Sequence, residues 1–578
     1  MQRVIRRRAN GDSRALESTS LHPLLARVYA SRGVADPGDL DLGLKHLLPP
    51  ATLSQAQEAA QLLAHALQTQ QRLLIVGDFD ADGATSTAVA VGALKSMGAA
   101  HVDYLVPNRF EYGYGLTPEI VALACERNPD VIITVDNGIS SIEGVAAATA
   151  AGIATLVTDH HLAGRQLPDA QVIVNPNQPD CTFASKALAG VGVIFYVMLA
   201  LRALLREQHW FAHQDIPEPN LASYLDLVAL GTVADVVPLD RNNRILVEGG
   251  LQRIRSGAAR PGIQALLEVA GRQPQRIVAS DLGFAVGPRL NAAGRLDDMS
   301  VGIECLLAED MSSARLIAQQ LHQLNLDRRA IEQDMQNEAL KVLDDLPLDE
   351  DTSPDAYTLY QPGWHQGVIG ILASRIKDRT HRPTIAFANA DESGLQIKGS
   401  ARSIPGIHIR DILDAVATRH PGLIDKFGGH AMAAGLSLDR ESYELFSHAF
   451  QEEVSRHARD LDLQAVVESD GELAKDNFSL ELAAALRFAG PWGQHFPEPV
   501  FDGRFDVAQQ RLVGERHLKL VVGVPGSDVW IDAIAFNIDP DIWPNPQVTQ
   551  LDLAYKLDVN EYRGNQTVQL MIEHLAIP

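Results

Sequence analysis

The sequence predicts an α/β protein: a doubly wound parallel-sheet domain, a long connecting helix, a smaller α/β domain and a C-terminal β-rich domain, in that order. Three patterns lead to this prediction. Short apolar runs alternate with helical segments between residues 72 and 176, residues 310–346 carry one helical apolar stripe, and residues 461–578 change to period-two alternation. Strand–helix repetition is typical of a parallel sheet covered by helices, whereas period-two runs indicate antiparallel strands.

The first domain is predicted from strands that are apolar throughout, which indicates burial on both faces. The strands are expected in RLLIVGDFD (72–80), HVDYLVPN, VIITVDNG, ATLVTDHH and AQVIVNP, and the helices in residues 84–98, TPEIVALACERN and SSIEGVAAATAAG. A second tract, from about 185 to 300, holds helical segments and the motifs LDLVALGTVADVVPL and GPRLNAAGRL. We assign residues 51–305 to this domain, after an N-terminal segment over residues 1–50.

A long helix is predicted next, because apolar residues recur at steps of mostly three, four or seven, with Arg328 interrupting the stripe. The apolar positions are Ala314, Ile317, Leu321, Leu324, Ile331, Met335, Val342 and Leu346. At 1.5 Å per residue such a helix spans ~50 Å, which is enough to bridge two domains. We assign residues 306–350 to this connection.

Two further domains are predicted after the helix. Residues 351–455 are expected to form the smaller α/β domain, with strands in AYTLY, PTIAFAN and LQIKGSARS and helices in HQGVIGILASRIKDR and HIRDILDAVATRH. Residues 461–578 are expected to form an antiparallel barrel or sandwich, from runs such as RHLKLVVGV, VWIDAIAFNI, LDLAYKLDVNEYRG and TVQLMIEHL.

The composition excludes several classes of protein. With 46% hydrophobic and 21% charged residues, the chain of 578 residues is typical of packed domains and not of a disordered protein. Three cysteines are too few for a disulfide framework or a four-cysteine zinc site and fit a reducing cytosol, so we expect a cytoplasmic protein. No run of ~18 apolar residues lacks charges, so we expect no membrane span.

The net charge of −24 argues, taken alone, against a polyanionic partner such as nucleic acid. Its distribution changes that conclusion. Residues 241–295 carry nine arginines against three acids, whereas residues 461–578 have a net charge of −10. Binding of a polyanion is therefore expected to depend on local arginine clusters and to be sensitive to salt.

Acidic and imidazole side chains follow three of the predicted strands, where open parallel sheets bind ligands. They are Asp78, Asp80 and Asp82 in DFDADG, Asp136 in VIITVD, and Asp159, His160 and His161 after ATLVT. A single aspartate there is as well explained as a helix N-cap, but three within five residues are not. Carboxylates this close need a cation, and with imidazole they favour Mn²⁺ or Mg²⁺. The ligands suffice for two ions that share a carboxylate and clamp a phosphoryl group.

Three further motifs are candidate phosphate binders. GPRLNAAGRL offers Arg289 and Arg295, GSARS offers Ser400 and Arg402 at the end of a strand, and FGGHAMAAG offers Gly428, Gly429 and His430. The last motif is predicted to open a helix, whose free backbone N–H groups would meet an anion. Each motif alone is equally explained as a glycine-rich turn, but together with the metal site they favour phosphate binding.

These motifs resemble those of the DHH phosphoesterase superfamily. DFDADG, VDNGIS, the DHH triplet at 159–161 and VALGTVADVVPL are similar to its four signature motifs, and WHQGVIGILASRI, GSARS and FGGHAMAAGL are similar to the DHH-associated domain. NRFEYGYGL, GPRLNAAGRL and the tail YKLDVNEYRGNQTVQLMIEHL resemble one subfamily, the RecJ single-strand-specific exonucleases. The resemblance covers essentially the whole chain. It implies a DHH domain, a DHH-associated domain and an OB-like tail.

The resemblance also implies a site and a reaction. Two Mn²⁺ or Mg²⁺ ions are implied, one held by Asp78, Asp80 and Asp136, and the other by Asp82, Asp136, His160 and Asp235. His161 would face the scissile phosphate, Asp159 would orient the histidines, and Arg109, Arg289, Ser400 and Arg402 would bind a 5′ phosphate. The implied activity is 5′→3′ hydrolysis of single-stranded DNA to 5′-mononucleotides in recombination and repair. Single-strand-binding protein and repair factors are the implied partners, and we expect a monomer.

Three alternatives stay open. A DHH phosphodiesterase that cleaves short oligonucleotides or cyclic dinucleotides would lack the β-rich tail. A pyrophosphatase would leave the connecting helix and the tail without a role. A replication scaffold with the same fold would have lost its metal ligands, whereas every expected ligand is present in this chain.

Overall fold

The computed structural model describes residues 3–108, 112, 115–164, 166–344, 354–459, 464–514, 516–562 and 564–578. The strands are β1 (Val4–Arg7), β2 (Arg72–Gly77), β3 (His101–Leu105), β4 (Val131–Val135), β5 (Ala154–Thr158), β6 (Val172–Val174), β7 (Tyr357–Tyr360), β8 (Thr384–Asn389), β9 (Gln396–Arg402), β10 (Lys426–Gly429), β11 (Ala433–Asp439), β12 (Val466–Ser469), β13 (Phe501–Val513), β14 (His517–Gly523), β15 (Trp530–Ala535), β16 (Gln550–Tyr562) and β17 (Asn565–Ala576).

The helices are α1 (Arg14–Glu17), α2 (Pro23–Ala30), α3 (Ala56–Gln68), α4 (Ala81–Ser96), α5 (Pro118–Cys125), α6 (Ile142–Ala150), α7 (Gly190–Glu207), α8 (Trp210–His213), α9 (Leu225–Ala234), α10 (Arg241–Arg255), α11 (Pro261–Val269), α12 (Ala279–Asp281), α13 (Gly287–Leu296), α14 (Ser300–Leu307), α15 (Met311–Asp344), α16 (Ile369–Thr380), α17 (Ile409–Arg419), α18 (Tyr443–Ala458) and α19 (Leu480–Phe488). A π-helical turn, Leu282–Val286, separates α12 from α13.

The chain divides into two compact units. The larger unit comprises Arg7–Asn325 and Glu468–Pro578, and the smaller unit comprises Met1–Arg6 and Leu326–Val467. The boundary between Asn325 and Leu326 lies inside helix α15, which confirms the predicted long helix. This helix has 34 residues and is therefore ~51 Å long at 1.5 Å per residue. Within the described residues, no helix is both long and apolar enough to cross a membrane.

The larger unit contains the predicted doubly wound parallel sheet. Its strand order is β3-β2-β4-β5-β6, and every neighbouring pair is parallel. Alternate residues of one strand enter different cores: Leu73 and Ile75 pack with α3, α4 and α7, whereas Leu74 and Val76 pack with α5 and α6. The strand order reverses between β2 and β4, so a crevice opens at their carboxyl ends, where such sheets bind ligands.

The C-terminal strands of the larger unit form a closed five-stranded barrel in the order β13-β14-β15-β17-β16. This confirms a small barrel, whose interior is filled by side chains such as Leu520, Leu553 and Leu570. The prediction that all its strands are antiparallel is wrong for one pair, because β15 and β17 are parallel. Closure requires that pair: β16 forms a hairpin with β17 and also pairs with β13, which leaves the other edge of β17 for β15.

The smaller unit is built on a five-stranded sheet in the order β10-β11-β9-β8-β7. Only the β7–β8 pair is parallel among these strands. Helix α15 contributes Arg328 to this unit, and its guanidinium donates to the buried Glu332 carboxylate at 2.8 Å. The polar residue that interrupts the predicted apolar stripe is therefore one half of a buried ion pair, which Arg375 extends by donating to Glu332 at 2.9 Å.

One local prediction is wrong in the smaller unit: Gly428, Gly429 and His430 do not open a helix. They lie in and after strand β10, at the turn of a hairpin with β11. Gly429 has φ +140°, and a Cβ there would lie 2.4 Å from the Ala433 carbonyl oxygen, so only glycine fits this turn. Strand β11 pairs along its whole length with β9, and this long-range pairing decides the conformation.

Candidate metal centre

The acid-rich loop DFDADG joins strand β2 to helix α4. Asp80 is the N-cap of α4, and its side chain accepts hydrogen bonds from the backbone N–H groups of Asp82 and Gly83, each at 3.0 Å. Asp78 and Asp82 are buried beside it. The N-cap explanation is therefore correct for Asp80, but it leaves the buried carboxyl groups of Asp78 and Asp82, which do not cap α4.

Asp136 follows strand β4 and has a left-handed backbone with φ +62°. Apart from glycine, aspartate and asparagine adopt this conformation most readily, and residues held in it are concentrated at functional sites. The Asp136 carboxylate lies 3.1 Å from Nε2 of His160, which follows the neighbouring strand β5. The ends of β4 and β5 thus bring a carboxylate and an imidazole together at the crevice.

Asp235 reaches the same place from a helix. It follows the last residue of α9, and its Oδ2 lies 3.5 Å from Nε2 of His160. The next residue, Val236, has φ +60°, an unfavourable backbone for a β-branched side chain. His160 therefore lies between carboxylates that come from a strand end and from a helix end.

Asp159 and His161 form a second pair at the end of β5. Oδ1 of Asp159 lies 2.8 Å from Nδ1 of His161, and Oδ2 accepts the backbone N–H of Ile139 at 2.9 Å. Burial opposes ionisation of both groups, but their hydrogen bond and opposite charges outweigh it. The pKa of Asp159 is accordingly lowered and the pKa of His161 is raised.

Three groups of side chains have potential ligand atoms within 4.8 Å of one another. They are Asp78 with Asp80 and Asp136, Asp82 with His160 and Asp235, and Asp136 with His160 and His161. The groups share members, so two ions held here would be close neighbours. Oxygen donors with one or two imidazoles suit Mn²⁺ and Mg²⁺, and a shared carboxylate is a common feature of two-metal sites.

The electrostatics of the cluster also fit divalent cations. Burial, reinforced by the charge of Asp80, raises the pKa of Asp82 to about 7. Burial and the negative charge of neighbouring carboxylates, Asp82 first among them, likewise raise the pKa of Asp136 and of Asp235 well above the usual range. Carboxyl groups crowded in this way ionise readily only when positive charge is bound among them.

Sequence reasoning missed the residues that support this cluster. The backbone N–H groups of Gly190 and Val191, at the start of α7, donate to the Asp82 carboxylate at 2.6 and 3.0 Å. A Cβ on Gly190 would lie 2.5 Å from Cβ of Asp136, so the helix approaches the acids only because glycine is there. The glycine pair in ALAGVG was the available signal.

Asparagine side chains hold the loops on both sides of the cluster. Nδ2 of Asn175 donates to the backbone carbonyl of His161 at 2.9 Å, and Nδ2 of Asn177 donates to that of His160 at 2.5 Å. On the other side, Oδ1 of Asn291 in α13 accepts the N–H of Ala81 at 2.7 Å. The Asn-Pro-Asn sequence after β6 was the only local sign of the first two contacts.

The predicted phosphate binders divide between the units. Arg109 lies outside the described residues. Arg289 and Arg295 are on α13 in the larger unit, which also contains the candidate metal ligands. Arg289 is buried, and its guanidinium donates to the Ala285 carbonyl and to Nδ1 of His322, the latter at 3.2 Å.

The other predicted binders lie together in the smaller unit. Nη1 of Arg402 donates to Oγ of Ser400 at 3.0 Å, both at the end of β9, and burial lowers the pKa of Arg402. The hairpin that carries Gly428, Gly429 and His430 is next to them, because Arg402 pairs with Ala433 in the sheet. The structure thus groups five of the predicted residues at one end of strands β9, β10 and β11.

Comparisons with known proteins match three families along the chain. Residues 72–232 match the DHH family, N-terminal domain; residues 355–456 match the DHHA1 domain; and residues 469–574 match the RecJ OB domain. The single-stranded-DNA-specific exonuclease RecJ of Dickeya dadantii is 57% identical over 571 residues, with coverage of 99% of this chain and 98% of that protein.

Solved structures of a RecJ protein are also similar to this chain. RecJ of Thermus thermophilus in complex with Mn²⁺ has a TM-score of 0.80 and 30% sequence identity, with coverage of 100% of this chain and 80% of that one. The complex of the same protein with Mg²⁺ has a TM-score of 0.75 and 28% identity, with coverage of 100% and 79%.

Proposed function

The chain belongs to the RecJ family of single-stranded-DNA-specific exonucleases, and from that premise we propose how its own residues carry out the reaction. It is a metal-dependent exonuclease that acts on single-stranded DNA with Mn²⁺ or Mg²⁺. The observation that carries the proposal is that Asp136 and His160 each belong to two of the three ligand groups, and that Asp136 is the carboxylate of this pair, the type of ligand that two ions can share.

We assign Asp78, Asp80 and Asp136 to one ion, and Asp82, Asp136, His160 and Asp235 to the other, with Asp136 as the bridge. Two groups with close ligand atoms support this division, Asp78 with Asp80 and Asp136, and Asp82 with His160 and Asp235, while Asp136 joins the second ion's ligands through the group that it shares with His160. When bound, two divalent ions supply the concentrated positive charge that displacement at a phosphodiester requires. The protein contributes carboxylates that are buried, close together and held by backbone N–H groups, so the ligands are in position before the ions arrive.

His161 is assigned to the scissile phosphate. Its Nδ1 lies at hydrogen-bond distance from Asp159, which fixes the orientation of the ring and favours the protonated form. We assign its Nε2 to an oxygen of the phosphate, where a charged donor would stabilise the additional negative charge of the transition state. Asp159 is a positioning residue in this account, because it acts on the substrate only through His161.

We propose that Arg109, Arg289, Arg295, Ser400, Arg402, Gly428, Gly429 and His430 bind the phosphates of the strand, including a 5′ phosphate. Support comes from the half-buried Arg402 beside Ser400, since a partly desolvated guanidinium next to a hydroxyl group favours an anion. This assignment gives 5′→3′ degradation to 5′-mononucleotides.

The wider role proposed is DNA recombination and repair in the cytoplasm, with the chain acting as a monomer. Single-strand-binding protein and other repair factors are the proposed partners. We propose the domain limits 1–50, 51–305, 306–350, 351–455 and 461–578 for the N-terminal segment, the DHH domain, the connecting helix, the DHH-associated domain and the OB-like domain.

The test uses DNA of about 30 nucleotides with a 5′ phosphate, labelled at either end and supplied single-stranded or as a blunt duplex, with Mn²⁺. We expect rapid release of labelled mononucleotide from the 5′-labelled single strand and little from the duplex. Early release from the 3′ label would contradict the assigned polarity. A matched series of shorter strands, down to dimers, separates the alternative enzyme, since activity confined to dimers and trimers would indicate a phosphodiesterase of short oligonucleotides.

A further inference from the structure

Phe284 is an exposed aromatic residue in an unusual piece of backbone. It lies in the π-helical turn Leu282–Val286, and 80% of its surface is accessible, whereas Leu282 and Val286 are fully buried. Single π-helical turns are rare and occur frequently at functional sites. A large apolar side chain held in solvent by a buried turn is a candidate for contact with a ligand.

On both of its sides, the π-helical turn is next to segments of the candidate metal centre. Gly283 and Gly287 face Val233 and Ala234, the residues that end α9 immediately before the ligand Asp235. On its other side the turn continues directly into α13, which accepts a hydrogen bond from the acid-rich loop through Asn291. Phe284 therefore lies beside the segments that carry the metal ligands.

Phe284 also borders a cavity of about 330 Å³ within the larger unit. The cavity runs from Val236, next to Asp235, to Phe488 and Trp492 beside the barrel. Its volume is within the ~300–1,000 Å³ of pockets that hold small organic ligands. Val236 and Phe488 are 63% and 46% exposed, so much of the apolar lining is accessible.

The charged residues of this lining are three cations, Arg255, Arg487 and Lys556, and one acid, Glu498. Each cation is also in an ion pair: Arg255 with Glu248, Arg487 with Asp558, and Lys556 with Glu498 and Glu573. The Arg255 guanidinium carbon lies 5.4 Å from the centroid of the Phe488 ring, so cation and aromatic face are already adjacent. Aromatic faces next to arginines are the combination that binds single-stranded nucleic acid without sequence preference.

We propose that this cavity receives an unpaired base of the DNA strand, with Phe284 as its stacking platform. The inference rests on the proposed function, since it assigns a base site to the strand whose phosphate is at the metal ions. A base in a duplex is stacked and paired and cannot enter, so the site would contribute to the preference for single strands. Stacking is available to all four bases, which fits degradation that does not depend on sequence.

The test combines variants with a substrate series. F284A removes the ring, F284W retains a stacking surface, and L316A is the control, because Leu316 is 73% exposed on α15 and is not part of the cavity. Each substrate is a 5′-phosphorylated oligonucleotide with one abasic site, moved along the strand one position at a time. The initial release of the first nucleotide gives kcat and KM.

For the wild type and L316A, we expect KM to rise roughly tenfold when the abasic site reaches one particular position, since one stacked base is worth about 5- to 150-fold. On the intact strand, F284A should have a KM raised by a similar factor. Moving the abasic site to the sensitive position should not raise the KM of F284A further. F284W should resemble the wild type. A wild-type series without any sensitive position would overturn the proposal, and so would F284A with wild-type KM and the same profile. Absence of degradation by the wild type itself would instead contradict the proposed function.

Discussion

Oδ1 of Asp136 lies 3.1 Å from Nε2 of His160, so the residue after strand β4 meets the middle residue of the DHH triplet after strand β5. The two strands are neighbours in register, and Val135 of β4 pairs with Thr158 of β5. The contact therefore follows from the parallel sheet itself. It brings a carboxylate and an imidazole together at the site that we propose for two ions.

Asp136→Asn is expected to reduce kcat by roughly a thousandfold or more, because it removes the shared charge on which both ions depend. Asparagine tolerates the left-handed backbone at this position, so the fold should persist. Activity with Mn²⁺ and the circular dichroism spectrum are the measurements. Retention of a tenth of the wild-type rate would show that Asp136 is not a bridge.

Without metal, stability should fall as pH rises from about 5 to about 8. The pKa of Asp82 is about 7 in the folded chain against an ordinary 3.8, so the folded state binds more protons than the unfolded state between these values. The stability that protonated Asp82 contributes is fully present below pH 3.8, the pKa of the unfolded state. It is lost as the pH rises to about 7, the pKa of the folded state. The pKa values of Asp136 and Asp235 are also raised in the folded chain, so these groups change stability with pH in the same direction.

Thermal unfolding in EDTA and in Mn²⁺ measures this effect. Mn²⁺ should raise Tm at both ends of that pH range, and by more at about pH 8 than at about pH 5, because protons compete with the ion at the lower pH. If the EDTA-treated protein had the same Tm at both pH values, this would contradict the raised pKa values of the crowded carboxyl groups.

Asp159→Asn should reduce kcat by about 10- to 100-fold with little change in KM, because the orientation of His161 is lost while the metal ligands remain. It should also lower the pKa of His161, which NMR of the imidazole in the metal-free protein reports. Asp169→Asn is the control, since Asp169 is an exposed acid later in the same loop. An unchanged pKa of His161 would remove Asp159 from its positioning role.

Gly190→Ala should weaken Mn²⁺ binding and reduce activity by at least tenfold. The added methyl would lie 2.5 Å from Cβ of Asp136 and 2.7 Å from its Oδ1. Gly192→Ala on the same helix is the matched control, because the atom nearest to its methyl would be Cδ2 of Leu188 at 3.0 Å, at the end of a flexible side chain, and not a candidate metal ligand. Isothermal titration with Mn²⁺ measures the affinity of each variant. Equal affinities would show that the close approach of α7 to Asp136 does not affect Mn²⁺ binding.

Much of the centre follows from local sequence. Asp78, Asp82, Asp136 and His160 were predictable because each follows an apolar run that forms a buried parallel strand, and the carboxyl ends of such strands converge. Asn175 and Asn177 were not predictable in this way. Their partners are backbone carbonyls of another loop, and no residue type or spacing marks such an acceptor.

Errors in the fold have a related cause. The hairpin at Gly428 and Gly429 was expected to be a helix start, because small residues and glycines suit both structures, and the pairing of β11 with the distant β9 decides between them. The parallel contact of β15 with β17 is also non-local, since it results from closing the barrel. Local periodicity predicts a strand but not its neighbours.

In the proposed centre Asp136 joins two ions in one site, and Mn²⁺ itself reports on this. Titration of the metal-free full chain with Mn²⁺, followed by electron paramagnetic resonance, measures both the number of ions and their coupling. We expect two ions per chain and the spectrum of a coupled pair about 3.5–4 Å apart, reduced in Asp136→Asn to weakly bound, uncoupled ions. One ion per wild-type chain, or two ions without coupling, would contradict the account.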